Sequence, residues 1–145
     1  MRIINRLVVH CAATPAGKAF TAEDIRQWHK ARGFKDIGYH FVILLDGTLE
    51  AGRPLDLAGA HAEGYNAASV GVCYVGGMLN GKAHDTRTPA QRTTLRTLVQ
   101  TFKTLYPKIK VCGHRDLSVD LNGDGVISKN EWMKDCPSFD VATEL

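Results

Sequence analysis

Two uninterrupted runs of β-branched and apolar residues constrain the fold most: IINRLVVHC at 3–11 and SVGVCYVGG at 69–77. Both read as buried strands, so the chain must build a sheet and cover it. KIKVCGH (108–114) reads as a shorter strand ending at His114. GYHFVILLDGTLEAGRP (38–54) reads as a hairpin turning at Asp46-Gly47, a favoured two-residue connection. Two helices complete the pattern. TAEDIRQWHKARG (21–33) has Thr21 as N-cap, Glu23 and Asp24 in the first turn and Gly33 as a stop, with Ile25, Trp28, His29 and Arg32 on one side. TPAQRTTLRTLVQTFKTLYP (88–107) carries a capping box from Thr88 to Gln91 and an apolar stripe of Leu95, Leu98, Val99, Phe102, Leu105 and Tyr106. LAGAHAEGYNAA (57–68) and MLNGKAHDTR (78–87) read as loops. Hairpin and crossover links together predict an α/β fold, a single domain over 1–145 with a central mixed β-sheet flanked by helices.

A chain of 145 residues with 44% hydrophobic and 23% charged content is long enough to bury one sizeable core. Its net charge of +3 is mild and scattered, which argues against nucleic acid as a partner. No stretch approaches the ~18 apolar residues of a membrane span. Arg6 interrupts the first apolar run before a signal-peptide core forms, so synthesis in the cytoplasm without a signal peptide is expected. The four cysteines are Cys11, Cys73, Cys112 and Cys136, and the first three read as buried free thiols rather than a disulfide framework.

His10 and His114 each close a strand, and Cys136 precedes Pro137. Two imidazoles and a thiolate suit zinc (Zn2+) in a tetrahedral site with one position left open, the pattern of a catalytic centre. The spacing alone is weak, and Cys112, two residues before His114, is a competing ligand. Cys11 should face away from His10. Arg115 and Asp116 read either as supports for a ligand or as a surface ion pair. His40, beside Tyr39, reads as a satisfied core or second-layer histidine, and His29 on the first helix as a packing or surface residue. No H-E-x-x-H or P-C-x-x-C signature is present, which excludes the corresponding protease and deaminase readings.

The segment DLNGDGVISKNE (120–131) meets the calcium-loop pattern in full, with Asp120, Asn122, Asp124, Gly125 and Glu131 in place and the Val126 carbonyl at the seventh position. The entering stretch RDLSV is too short for a helix, although Ser128 and Glu131 look like the cap of a short exit helix, NEWMKD. Structural Ca2+ is therefore expected here, against the alternative of an ion-free surface turn.

Taken in order, VVHCAAT, IRQWHKARGFKDIGYHFVI, DGTLEAGRP, GAHAEGYNAASVGVCYVGG, TPAQ, GHRD and KDCPSFD resemble the zinc-dependent type 2 N-acetylmuramoyl-L-alanine amidases. The likeness is strongest to small phage lysozymes that are amidases, and it extends to the peptidoglycan recognition proteins. It covers roughly residues 5–140. The resemblance implies that His10, His114 and Cys136 hold zinc and that Tyr39 and Lys134 occupy two further catalytic positions. Lys134 would face the oxyanion; Tyr39 would donate to the same oxygen or relay a proton. His61, Tyr65 and Asn66 match a substrate-groove wall, although a loop histidine can also be merely exposed. The implied substrate is the bond between N-acetylmuramic acid and L-alanine in peptidoglycan, cut by a monomer reaching the cell wall after release or non-Sec export, as a phage or prophage endolysin or a bacterial wall hydrolase. Recognition proteins that have lost catalysis lack the ligand cysteine, so Cys136 favours an enzyme over the alternative, a non-catalytic peptidoglycan-binding module. A calcium-regulated interaction protein is a more distant alternative. Compact members have a shorter link between the last His and Cys ligands; here a calcium-type loop insertion at 117–131 lengthens it.

Overall fold

The computed structural model describes residues 2–132 and 134–145. Its main sheet has five strands: β1 (Arg6–Cys11), β3 (Phe41–Ile43), β4 (Leu49–Ala51), β5 (Ser69–Tyr74) and β8 (Lys110–Gly113). Their order is β4-β3-β5-β1-β8. β1 lies parallel to β5 and β8, with His10 opposite Cys73; β3 is parallel to β5, and only β4 runs antiparallel. The two most apolar runs of the sequence are thus the central strand, β5, and its interior neighbour, β1.

Alternation along β1 separates two interiors. Leu7, Val9 and Cys11 join Val70, Val72 and Tyr74 beneath helix α2 (Pro89–Leu105), whose Leu95, Leu98, Val99 and Phe102 close that face. Each fully buried Leu or Phe contributes roughly 1.5–3 kcal/mol. On the other face Val42, Cys73 and Val75 pack with Ile37 and with Ala22 and Ile25 of α1 (Ala22–Ala31). His10 belongs to this second face, so Cys11 does point away from it. Both helices begin with reciprocal capping boxes, Thr21 with Asp24 and Thr88 with Gln91. Gln91 is fully buried, and its amide also donates to the carbonyls of Ile43 (3.2 Å) and Val75 (2.9 Å), tying α2 to the ends of two strands.

Several local expectations change. The 78–87 loop contains a small hairpin, β6 (Gly77–Leu79) and β7 (Lys82–Ala83), and β6 pairs with the short β2 (Thr14–Pro15) in a second sheet. Asn80 and Gly81 both have positive φ, 51° and 76°, the left-handed pair that a tight hairpin turn requires. The strand before His114 stops at Gly113, and His114–Leu117 forms a 3-10 turn. Leu105, expected in the apolar stripe of α2, is 65% exposed at the helix end. The exit helix NEWMKD is a single 3-10 turn, Lys129–Glu131; Met133 lies outside the described residues. Its capping box forms, but Trp132 is already extended, so the helix does not propagate. A four-residue helix, α3 (Val141–Glu144), closes the chain. No helix among the described residues is long and apolar enough to cross a membrane.

Candidate metal centre and active-site cleft

Three elements converge at the carboxyl edge of the sheet, where α/β folds commonly place ligand sites. β1 delivers His10, the turn after β8 delivers His114, and the C-terminal segment delivers Cys136. Their donor atoms all lie within 4.8 Å of one another. His10 Nδ1 is 3.7 Å from Cys136 Sγ, and the His10 and His114 ring centroids are 4.7 Å apart. Two neutral imidazoles and a sulfur, half sunk in the sheet edge, form a donor set that fits a metal ion.

Backbone contacts fix the C-terminal arm. The Cys11 N–H donates to Cys136 Sγ at 3.2 Å, and the Arg115 N–H donates to the Cys136 carbonyl at 2.8 Å. The Tyr74 hydroxyl donates to the Pro137 carbonyl at 2.6 Å. Phe139 and Val141 are buried in the α2-side core, and the Arg87 guanidinium lies 3.4 Å above the Phe139 ring. Arg115 also stacks its guanidinium over Trp132 at 3.8 Å, while Asp116 caps the turn by accepting the Gly113 N–H at 2.8 Å. These two residues therefore support the turn and the Cys136 backbone rather than a ligand side chain. Cys112 stays outside the donor cluster, 3.9 Å from the Arg6 guanidinium, because the chain leaves extended geometry before His114.

The cluster opens between two cavities that share Cys11, Ala13, Lys134 and Cys136. The larger, about 720 Å³, runs between α1 and the loop of residues 60–66, with Arg32, Phe34 and Tyr65 on its walls. The smaller, about 530 Å³, is bounded by the β6–β7 hairpin. Tyr39 stands against His10 with ring centroids 5.0 Å apart. Burial pushes its phenol well above the ordinary value, so it is a neutral donor at neutral pH. Lys134 is exposed at the junction of the two cavities. Burial, reinforced by His61, His114 and Lys134, keeps His10 neutral by pushing its pKa well down. In the metal-free cluster, hydrogen bonding to Cys11 and burial push the Cys136 thiol up, so metal capture must displace a proton from it.

Of the residues matched to a groove wall, Tyr65 is 40% exposed and lies beneath the Arg6 guanidinium. His61 and Asn66 line the cleft but are committed inward. His61 is 8% exposed, with Nδ1 2.9 Å from His10 Nε2 and Nε2 3.2 Å from Ser69 Oγ. Asn66 Oδ1 accepts the N–H groups of His61 and Ala62, both at 2.9 Å. Sequence reasoning passed over Ser69 and read His29 as a packing or surface residue. His29 is in fact a cleft wall, its ring 5.3 Å from Tyr39 and its Nδ1 accepting the Gly38 N–H at 2.9 Å. Its place one turn after Ile25 on the buried face of α1 was the available signal. His40 is buried as expected, accepting the Gly71 N–H at 3.0 Å.

In the 120–131 loop, carboxylate oxygens of Asp120, Asp124 and Glu131 lie within 4.8 Å of one another. Asp120 accepts the N–H groups of Gly123 and Gly125, Asn122 that of Asp124, and Asp124 that of Val126. Glu131 is buried, and N–H and hydroxyl donors from Ser128, with the N–H groups of Asn122 and Leu121, hold its carboxyl well below the usual range.

The architecture is that of the amidase and peptidoglycan recognition protein class. It superposes on the N-acetylmuramoyl-L-alanine amidase LysC from Clostridium intestinale URNW with a TM-score of 0.74 at 29% identity, covering 99% of this chain and 82% of that one. Bumblebee PGRP-SA gives 0.67 at 27% identity, covering 88% and 79%. By sequence the chain is 42% identical to the endolysin of Klebsiella phage KP32 over 138 residues, spanning 94% of this chain and 82% of that protein. The family model for N-acetylmuramoyl-L-alanine amidase matches residues 1–138, and the chain belongs to that family.

Proposed function

We propose that this amidase cleaves the bond between N-acetylmuramic acid and the L-alanine of the peptidoglycan stem, using zinc held by His10, His114 and Cys136. The observation that carries the reading is the convergence of those three donors, with Cys136 among them, between two cavities. When bound there, zinc supplies Lewis acidity to the scissile carbonyl and to the attacking water. The cavities on either side give room for the glycan and the peptide flanking one amide. Lys134, at their junction, presents a cation to the oxygen that becomes negative as the carbonyl is attacked. Tyr39, neutral and wedged against His10, offers a hydroxyl proton to the same oxygen or to the departing amine. Cys136 is also what separates this reading from a non-catalytic recognition module.

The Asp120–Glu131 loop supports a structural role for calcium. Three carboxylates within 4.8 Å repel one another unless a cation sits among them. With Asn122 and the Val126 carbonyl they complete an oxygen donor set suited to Ca2+. In this reading 117–131 is an insertion in a single amidase domain, and its ion steadies the segment that carries Lys134 and Cys136. Likeness to phage endolysins supports action on the cell wall after release from the host cytoplasm, as a monomer.

The test is zinc content together with amide cleavage of purified cell wall. Cys136→Ser should lose both. A chain that binds wall, holds no zinc and releases nothing would be a recognition module instead.

A further inference from the structure

The stretch GAHAEGYNAASVG (59–71) lies between β4 and the first residues of β5, and the proposed chemistry leaves its histidine unused. The structure binds that histidine from every side. Asn66 pins its backbone and that of Ala62 through one carbonyl oxygen. Gly71 and Gly59 leave room for the ring: a Cβ at Gly71 would lie 2.6 Å from His61 Cγ, and one at Gly59 would lie 2.7 Å from His61 Cδ2. Ser69 Oγ meets Nε2 at 3.2 Å, and His10 Nε2 meets Nδ1 at 2.9 Å, the two imidazoles edge to face at 90°. Such a ring cannot swing toward a ligand in the cleft without breaking both nitrogen contacts.

A hydrogen bond between two neutral imidazoles needs one proton, carried by one of the facing nitrogens. If His10 Nε2 carries it, His10 Nδ1 is a bare lone pair, and Nδ1 is the atom 3.7 Å from Cys136 Sγ. If His61 Nδ1 carries it, His10 must hold its own proton on Nδ1, aimed into the donor cluster. Ser69 Oγ, 3.2 Å from His61 Nε2, can accept from Nε2–H, and in that arrangement His61 Nδ1 is the acceptor of the His10 proton.

We infer that His61, backed by Ser69, is a positioning residue that holds His10 in the tautomer whose Nδ1 lone pair faces the metal position. This inference rests on the proposed zinc site. It moves His61 from the groove wall to the support of a ligand, with Asn66 holding the loop that carries it. Partners of this kind, behind a metal-binding histidine, typically change metal affinity 10- to 100-fold when removed.

Two measurements test it. Zinc affinity is read by competition with a chromophoric chelator for wild type, His61→Ala, His61→Asn and Ser69→Ala. The His10 tautomer is read by long-range proton–nitrogen NMR of the metal-free wild type. We expect His10 protonated on Nε2, a roughly 10- to 100-fold loss of zinc affinity in His61→Ala, and a smaller loss in Ser69→Ala. His61→Asn, whose amide oxygen can accept the same proton, should recover part of the affinity. Zinc affinity in His61→Ala within about twofold of wild type, against the ordinary range of such effects, would overturn the inference. A proton on His10 Nδ1 in wild type would overturn it as well, and that result stands even if His61→Ala fails to fold. Wild type without tight zinc binding would contradict the zinc reading, while the NMR result would still decide the tautomer.

Discussion

His10 Nδ1 and Cys136 Sγ lie 3.7 Å apart although 126 positions separate them in the chain. The first comes from β1, an interior strand paired to both β5 and β8, with His10 opposite Cys73. The second comes from a terminal segment held by Arg115, Tyr74 and the Arg87–Phe139 stack. The candidate metal centre therefore depends on the C-terminal segment lying against the sheet edge. Cys136→Ser should leave the sheet folded but drop zinc content from stoichiometric to trace and turnover to background. Metal analysis after dialysis, beside a wall-lysis assay, checks both.

Tyr39 and Lys134 should matter to turnover more than to substrate binding. Tyr39→Phe is expected to lower kcat by roughly 10²–10⁴, the range for a positioned proton donor. Lys134→Met should lower it by about 10²–10³, as for loss of an oxyanion partner. KM should change little in either. A KM effect larger than the kcat effect in steady-state kinetics on a soluble muropeptide would reassign the residue to substrate binding.

Gln91 provides a stability test far from the chemistry. Its amide satisfies the Ile43 and Val75 carbonyls, and its carbonyl oxygen accepts the Thr88 N–H. Gln91→Leu should destabilise by about 1–3 kcal/mol, because buried polar groups lose their partner. Specific activity of the folded fraction should be unchanged. Urea denaturation gives the first number and an assay at matched folded concentration gives the second.

Acid should weaken the metal-free protein before its carboxylates titrate. Burial lowers the pKa of His40, and burial with neighbouring cations lowers that of His61 to about 3. Above the ordinary value near 6.5 both folded and unfolded states leave these rings neutral, and pH has no effect through them. Below it the unfolded chain takes up protons that the folded chain refuses, so stability falls as pH falls, at up to about 1.4 kcal/mol per pH unit for each such histidine. Urea midpoints at pH 7.5 and 5.5 should differ in that direction. Equal midpoints would contradict the buried, neutral assignment.

Calcium should stabilise through the 120–131 loop. Asp124→Ala should abolish a calcium-dependent rise in Tm and reduce the activity gained from calcium. A wild-type Tm insensitive to both calcium and a chelator would refute the structural role.

What the sequence made legible was whatever local chemistry decides. The capped helices at 22–31 and 89–105 and the strands β1 and β5 follow from capping residues and apolar runs of sufficient length. The β6–β7 hairpin was missed because its strands are two and three residues long, too short for a pattern, although Asn80-Gly81 carries the turn signal. The exit helix failed because the chain is already extended at Trp132, although the Ser128–Glu131 capping box forms. Cys112 looked like a ligand only while strand periodicity was extended through His114. The contact of His61 with His10 spans 51 positions and leaves no local trace.

The central claim is the bond that is cut, and mass spectrometry of digested peptidoglycan tests it most directly. Amide cleavage would release free stem peptides with L-alanine at their amino terminus and leave glycan strands of undiminished length. New reducing sugar ends, with the stem peptides still attached to muramic acid, would contradict it.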